Sequence, residues 1–159
     1  MSTTPPTYPS FSPYITVRDA PRAIAFYQAA FAATEIFRLV DSVTGKIGHA
    51  ELTLRDGLLM LSEENPAWNK SPDTLGGTPV KFCLMVENAD AAIEAAVAAG
   101  ATVLMPAGDQ FYGFRSGSVR DPFGHEWMLQ HEIEKVSHAE MQKRWDDMNG
   151  QCQPSKEAD

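Results

Sequence analysis

The sequence lacks any apolar run near the about 18 residues a membrane-spanning helix needs, so no membrane partner is expected. It also lacks a basic stripe. Thirteen Lys and Arg stand against 21 Asp and Glu, a formal net charge of −8. Such a surface repels phosphate backbones, which sets nucleic acid aside. Cysteine is scarce: Cys83 lies in an apolar, strand-like run and Cys152 in a polar tail. Contexts so different argue against a structural disulfide and for a reducing cytoplasm. GxSxG, P-loop, CxxC and HExxH patterns are all missing, so no nucleophile elbow, phosphate cradle, thiol pair or zinc helix is written locally. Residues 1–10 are rich in Ser, Thr and Pro, without a basic cluster followed by an apolar stretch. They read as a flexible leader, not a secretory signal.

What is present is an ordinary globular composition, 43% hydrophobic and 21% charged over 159 residues, enough for one domain with a real core. An internal repeat is visible. Val17-Arg-Asp-Ala-Pro-Arg-Ala-Ile24 returns as Val86-Glu-Asn-Ala-Asp-Ala-Ala-Ile93, and Met60-Leu61 returns as Met128-Leu129 at nearly the same offset. Each copy ends an apolar strand, offers an N-cap (Asp19, Asn88) and begins a helix. Ile24, Tyr27 and Phe31 mark the apolar face of the first helix; Ile93, Ala96 and Val97 mark that of the second. Gly100 is the expected C′ residue. Strands are predicted near 11–17, 35–41, 46–55, 58–63, 80–86, 102–105, 115–120 and 125–131, with Pro106 to Gly113 as a turn. The expected class is α+β, with two βαβββ modules at 11–65 and 80–132, a Pro/Gly-rich linker at 66–79 and a tail at 133–159. In the tail, Ser137-His-Ala-Glu140 is a capping box. Met141, Trp145 and Met148 then form a helical stripe that packs either on its own domain or on a second subunit.

Alternation sends neighbouring strand residues to opposite faces. Ala50, Leu52 and Leu54 oppose His49, Glu51 and Thr53. Trp127 and Leu129 oppose Glu126, Met128 and Gln130. Phe82, Leu84 and Val86 oppose Lys81, Cys83 and Met85, and Ile15 and Val17 oppose Ser12, Tyr14 and Thr16. Each module thus has one apolar face and one mixed face, and half-polar mixtures of this kind suit a small-molecule cleft.

Several motifs carry a resemblance. They are Pro13-Tyr14-Ile15 with Ala23-Ile-Ala-Phe-Tyr27, Gly45-Lys-Ile-Gly-His-Ala-Glu-Leu52, Leu59-Met-Leu-Ser-Glu63, Asp109-Gln-Phe-Tyr-Gly113 and Asp121-Pro-Phe-Gly-His-Glu-Trp127. Over about residues 11–132 the chain resembles the glyoxalase/bleomycin-resistance/dioxygenase (vicinal oxygen chelate) superfamily, in its PhnB-like branch. The resemblance implies an eight-stranded cupped sheet with flanking helices, and a homodimer. Metal-using members place one ligand on each of strands one, four, five and eight. Here those positions fall on Ser12, Met60, Lys81 and Met128, a poor donor set for a hard divalent ion. No metal or other cofactor is therefore expected.

His49 and Glu51, two apart on one strand, are the candidate acid–base pair, against a hydrogen-bonded structural pair. Tyr14, Met60, Lys81, Glu126, Met128 and Gln130 are candidate ligand-binding residues; Lys81 either neutralises an anionic ligand or forms a salt bridge. Tyr112 is expected to stack on a planar ligand and Arg115 to hold a carboxylate or phosphonate, the alternative being a self-packed turn. Trp68 either lids the site or anchors the linker, and His125 is expected to bond backbone or Asp121. Two functions fit: a metal-free protein binding a small amphipathic or aromatic molecule, or a lyase or isomerase acting on a small oxygenated substrate. An interaction protein without ligand fits the mixed faces less well.

Overall fold

The computed structural model describes residues 8–150; Cys152 and the last tail residues lie outside them. The elements run β1 (Tyr14–Val17), α1 (Ala20–Phe31), β2 (Thr34–Val40), β3 (Ile47–Leu54), β4 (Gly57–Glu63), α2 (Pro72–Leu75), β5 (Lys81–Met85), α3 (Ala89–Ala98), β6 (Thr102–Asp109), β7 (Phe114–Arg120), β8 (Glu126–Glu132) and α4 (His138–Gly150). The repeat is realised as two βαβββ modules. Their eight strands divide into two four-stranded sheets, β1-β4-β3-β2 and β5-β8-β7-β6. In each, the first strand pairs parallel to the last and the others pair antiparallel.

The helix starts follow the sequence. Asp19 accepts from the Arg22 amide and Asn88 from the Ala91 amide, so both N-caps form. At the C-terminal helix, Ser137 Oγ accepts from the Glu140 amide at 3.2 Å. The reciprocal half of the box is replaced: Glu140 instead takes Arg144 at 2.9 Å.

Three boundaries differ from expectation. β1 begins at Tyr14, later than residue 11. The linker contains the short helix α2. β6 continues through Pro106 to Asp109 where a turn was expected. β6 is an edge strand with two register shifts, between Val103 and Met105 and between Met105 and Gly108. An edge and its bulges are where a strand tolerates a proline.

The apolar faces meet the helices. Leu52, Leu59, Leu61 and Val17 are buried in one core with Ile24 and Tyr27 of α1, and Val119 and Leu129 with Ile93 and Ala96 of α3 belong to the same core. Gly117 is required by this approach: a Cβ there would lie 2.4 Å from Ile93 Cδ1 and 2.9 Å from Met105 O. The core runs on between modules. Trp127 packs on Phe31 of α1 and on Phe82 of β5, with centroids 4.8 and 4.9 Å apart.

Asp121 pins this join. Its Oδ1 accepts from the Phe123 and His125 amides and shapes the Asp-Pro-Phe-Gly-His turn. Its Oδ2 accepts from Tyr27 Oη at 2.7 Å and Trp127 Nε1 at 3.0 Å. The His125 ring bonds the Thr16 carbonyl at 2.9 Å. Both partners expected for His125 are therefore engaged, its ring by backbone and its amide by Asp121.

Candidate functional site

With helices on the apolar faces, the mixed faces stay partly uncovered. Tyr14 is 53% and Met85 50% exposed, and Met60 and Met128 are half-buried. The strand register aligns the modules row by row. In module one Tyr14 stands beside Met60, and Met60 beside Glu51. The equivalent row of module two is Cys83, Met128 and Ser118, and the next is Met85, Gln130 and Ser116. One frame thus carries two chemistries: a phenol and a carboxylate in module one, sulfur and hydroxyl groups in module two.

Module one holds a hydrogen-bonded chain. Tyr14 Oη lies 3.0 Å from His49 Nδ1, and His49 Nε2 lies 3.0 Å from Glu51 Oε1. Tyr14 and His49 sit two strands apart with β4 between them, so only long side chains bridge the gap of roughly 9–10 Å. A phenol hydroxyl donating to Nδ1 leaves Nε2 to carry the ring proton and donate to the carboxylate. Glu51 is only 3% exposed, and its Oε2 has no partner. Tyr8 Oη donates to Glu51 Oε1 at 3.3 Å; partial desolvation and the neighbouring carboxylate push its phenol up from the ordinary tyrosine value. Tyr8 falls in the stretch read as a flexible leader, and no sequence signal marked it.

The remaining candidates separate. Glu126 pairs with Arg120 at 2.9 Å and, more loosely, with Lys81 at 3.8 Å, so Lys81 forms the salt bridge weighed for it. Gln130 Nε2 reaches Met85 Sδ at 3.6 Å while its Oε1 is buried without a partner. Burial pushes the Cys83 thiol up, which favours its neutral form. Arg115 shares a face with Gly117 and Val119, the helix face of β7, opposite Ser116 and Ser118. Its guanidinium is bound by Asp90 at 2.6 Å and Asp109 at 2.8 Å. The alternation Arg115, Gly117, Val119 was the available signal. Tyr112 joins Phe111, Phe114 and, through Phe111, Trp145 of α4. This is the self-packed turn, and it docks the C-terminal helix on its own domain, aided by Arg144, which bonds the Phe111 carbonyl and Glu134.

Cavity size and polar chemistry do not coincide. A hollow of about 590 Å³ lies between the β3–β4 turn and the β5 edge, with Phe11, Leu58, Phe82, Met85 and Trp127 in its wall. It follows from the join of the modules and includes neither His49 nor Glu51. A smaller hollow of about 350 Å³ contains Tyr14, Lys46, Ser62 and Trp68; Trp68 stands at its rim, 79% exposed. Of the Tyr14–His49–Glu51 chain, Tyr14 alone lines this smaller hollow.

The positions assigned to a metal by resemblance carry a hydroxyl, two thioethers and an ammonium that leans on Glu126. That set does not fit a divalent oxygen-chelating ion. Among the described residues no three His, Cys, Asp or Glu side chains gather into an ion-sized group.

Paired βαβββ modules with helices on one face and a mixed strand face on the other define the glyoxalase fold class. The chain belongs to the Glyoxalase/Bleomycin resistance protein/Dioxygenase superfamily, whose family model matches residues 10–129. It is 41% identical over 138 residues to uncharacterized proteins of Mycobacterium tuberculosis H37Rv, covering 84% of this chain and 81% of that one, and of Mycobacterium bovis, covering 84% and 90%. Among solved structures it is similar to TioX from Micromonospora sp. ML1 (25% identity, TM-score 0.62, 80% of this chain and 100% of that one). An Arabidopsis thaliana gene product is 28% identical (TM-score 0.62, 77% and 98%). The PhnB protein of Bacillus cereus, 18% identical (TM-score 0.59, 77% and 99%), shares the fold. No described helix is long and apolar enough to cross a membrane.

Proposed function

We propose that this chain is a cytoplasmic, metal-free small-molecule binding protein of the resistance or sequestration type. It holds an amphipathic or aromatic compound between the mixed face of module one and the mixed face of module two of a second copy. One observation carries the reading. The described buried side-chain atoms without a hydrogen-bond partner are Ser12 Oγ, Glu51 Oε2, Ser116 Oγ and Gln130 Oε1, and by strand alternation the last three belong to the mixed faces. Buried polar groups are otherwise satisfied, so orphans on these faces mark where a ligand or ordered water completes the structure. The open thioether wall at Met60, Met85 and Met128 supplies the adaptable apolar part. A second copy is supported by the exposure of both mixed faces and by Met148, about half-exposed on α4.

Native mass, elemental analysis and a thermal-shift screen of aromatic and amphipathic compounds test this together. A dimer without stoichiometric metal, stabilised by at least one compound, is expected. A monomer at micromolar concentration, or one metal per chain, overturns it.

A second reading, a lyase or isomerase, is favoured by the Tyr14–His49–Glu51 chain. There Tyr14 and His49 move a proton to or from the substrate, and Glu51 holds the imidazole ring and stabilises its charged form. Turnover of a small oxygenated substrate that His49→Ala abolishes without unfolding the protein would move the weight to this reading.

A further inference from the structure

Resting on the cleft just proposed, we infer that its ligand carries a cationic, N–H-rich group, an ammonium, amidinium or guanidinium on an aromatic or apolar body, and that Glu51 is the residue that recognises it. The Glu51 carboxylate is 3% exposed and its Oε2 is unpartnered. A buried carboxylate calls for charged or multiple hydrogen-bond partners, and among the described residues its only ion-pair partner is the His49 ring. The cationic side chains of neighbouring strands are committed elsewhere. Arg38 on β2 is tied to Glu35, Lys46 reaches the Glu64 carbonyl, and Lys81 and Arg120 share Glu126. With Arg115 held on the opposite face, none of the cationic side chains of these strands is left to receive a carboxylate or phosphonate. The site is complementary to a cation.

The surroundings agree. Tyr8, Tyr14 and Phe37 place aromatic rings around the His49–Glu51 pair, Phe37 and His49 with centroids 5.7 Å apart, and aromatic faces attract organic cations. Tyr8 supplies the entrance: it is 52% exposed, and its 3.3 Å contact to Glu51 is long for an O–H···O bond. Swinging this ring outward frees the carboxylate for a ligand N–H.

The test uses the full chain and three probes of one shape and different charge: benzamidine, benzyl alcohol and benzoate. Binding is read by calorimetry and by NMR signals of the His49 ring. Benzamidine is expected to bind tightest and to shift the His49 signals. Glu51→Gln should weaken it by roughly tenfold or more, the loss of one charged hydrogen bond. Benzyl alcohol bound as tightly as benzamidine, still shifting His49, overturns the cationic preference and leaves the cleft standing. Benzoate bound tightest, benzamidine affinity unchanged in Glu51→Gln, or binding that leaves His49 unmoved likewise overturns it. No binding by any probe overturns the cleft as well. The ranking on the unsubstituted protein decides the question even if the variant fails to fold.

Discussion

Tyr27 in α1 donates its hydroxyl to Asp121, 94 residues further along the chain, at 2.7 Å in a fully buried site. This bond joins the first helix of module one to the last turn of module two. It is reinforced by Trp127, which donates to the same carboxylate oxygen.

Tyr27→Phe should cost about 1–3 kcal/mol, because Asp121 Oδ2 loses a buried donor. Chemical denaturation checks the value. Burial, and then the Asp121 charge, hold the Tyr27 phenol well above its ordinary value of 10.0. The folded value is raised, so this contribution is complete below pH 10 and is lost as pH climbs towards the folded value. The alkaline loss of stability should be shallower in Tyr27→Phe.

Gly117→Ala should destabilise by about 1–3 kcal/mol. Its Cβ would press on Ile93 Cδ1 and on the backbone of Met105 and Ala107, and backbone atoms yield less readily than a methyl. A melting temperature equal to that of the parent would show that β6 and α3 are packed less closely than described.

His49 should be found in the Nε2–H tautomer, since Tyr14 donates to Nδ1 and Glu51 accepts from Nε2. Nitrogen chemical shifts of the ring read this directly. Tyr14→Phe should leave stability within about 0.5 kcal/mol, as expected at a half-exposed position, yet perturb the ring nitrogens. Unperturbed signals would mean the chain is broken in solution.

Arg115→Met should leave ligand affinity unchanged, weaken the fold at neutral pH and make its loss of stability in acid shallower. Hydrogen bonding and attraction from Arg115 hold the Asp90 carboxyl below its ordinary value of 3.8. The folded value is depressed, so this contribution is complete above about pH 4 and disappears as pH falls through the folded value. Equal stability at neutral pH, or an unchanged slope of stability against pH in acid, would count against the pair.

The sequence by itself determined a good deal. The offset repeat set two βαβββ modules, and Asp19 and Asn88 set the helix starts. Strand alternation put His49 with Glu51, and Glu126 with Met128 and Gln130, on shared faces. These are local facts, because caps act within one turn and a strand's faces alternate with a period of two. Arg115 was legible in the same way, beside Gly117 and Val119, but the charge of the side chain suggested a cleft instead of a helix face. Tertiary structure alone decided what lies two strands or a whole module away. The order β1-β4-β3 brings Tyr14 across Met60 to His49, the chain just before β1 sets Tyr8 on Glu51, and the placing of α1 against the β7–β8 turn lays Tyr27 on Asp121. Contacts of that range leave no periodic trace in the chain. They depend on how sheets stack, which is set by the summed packing of the core and not by any neighbouring residue.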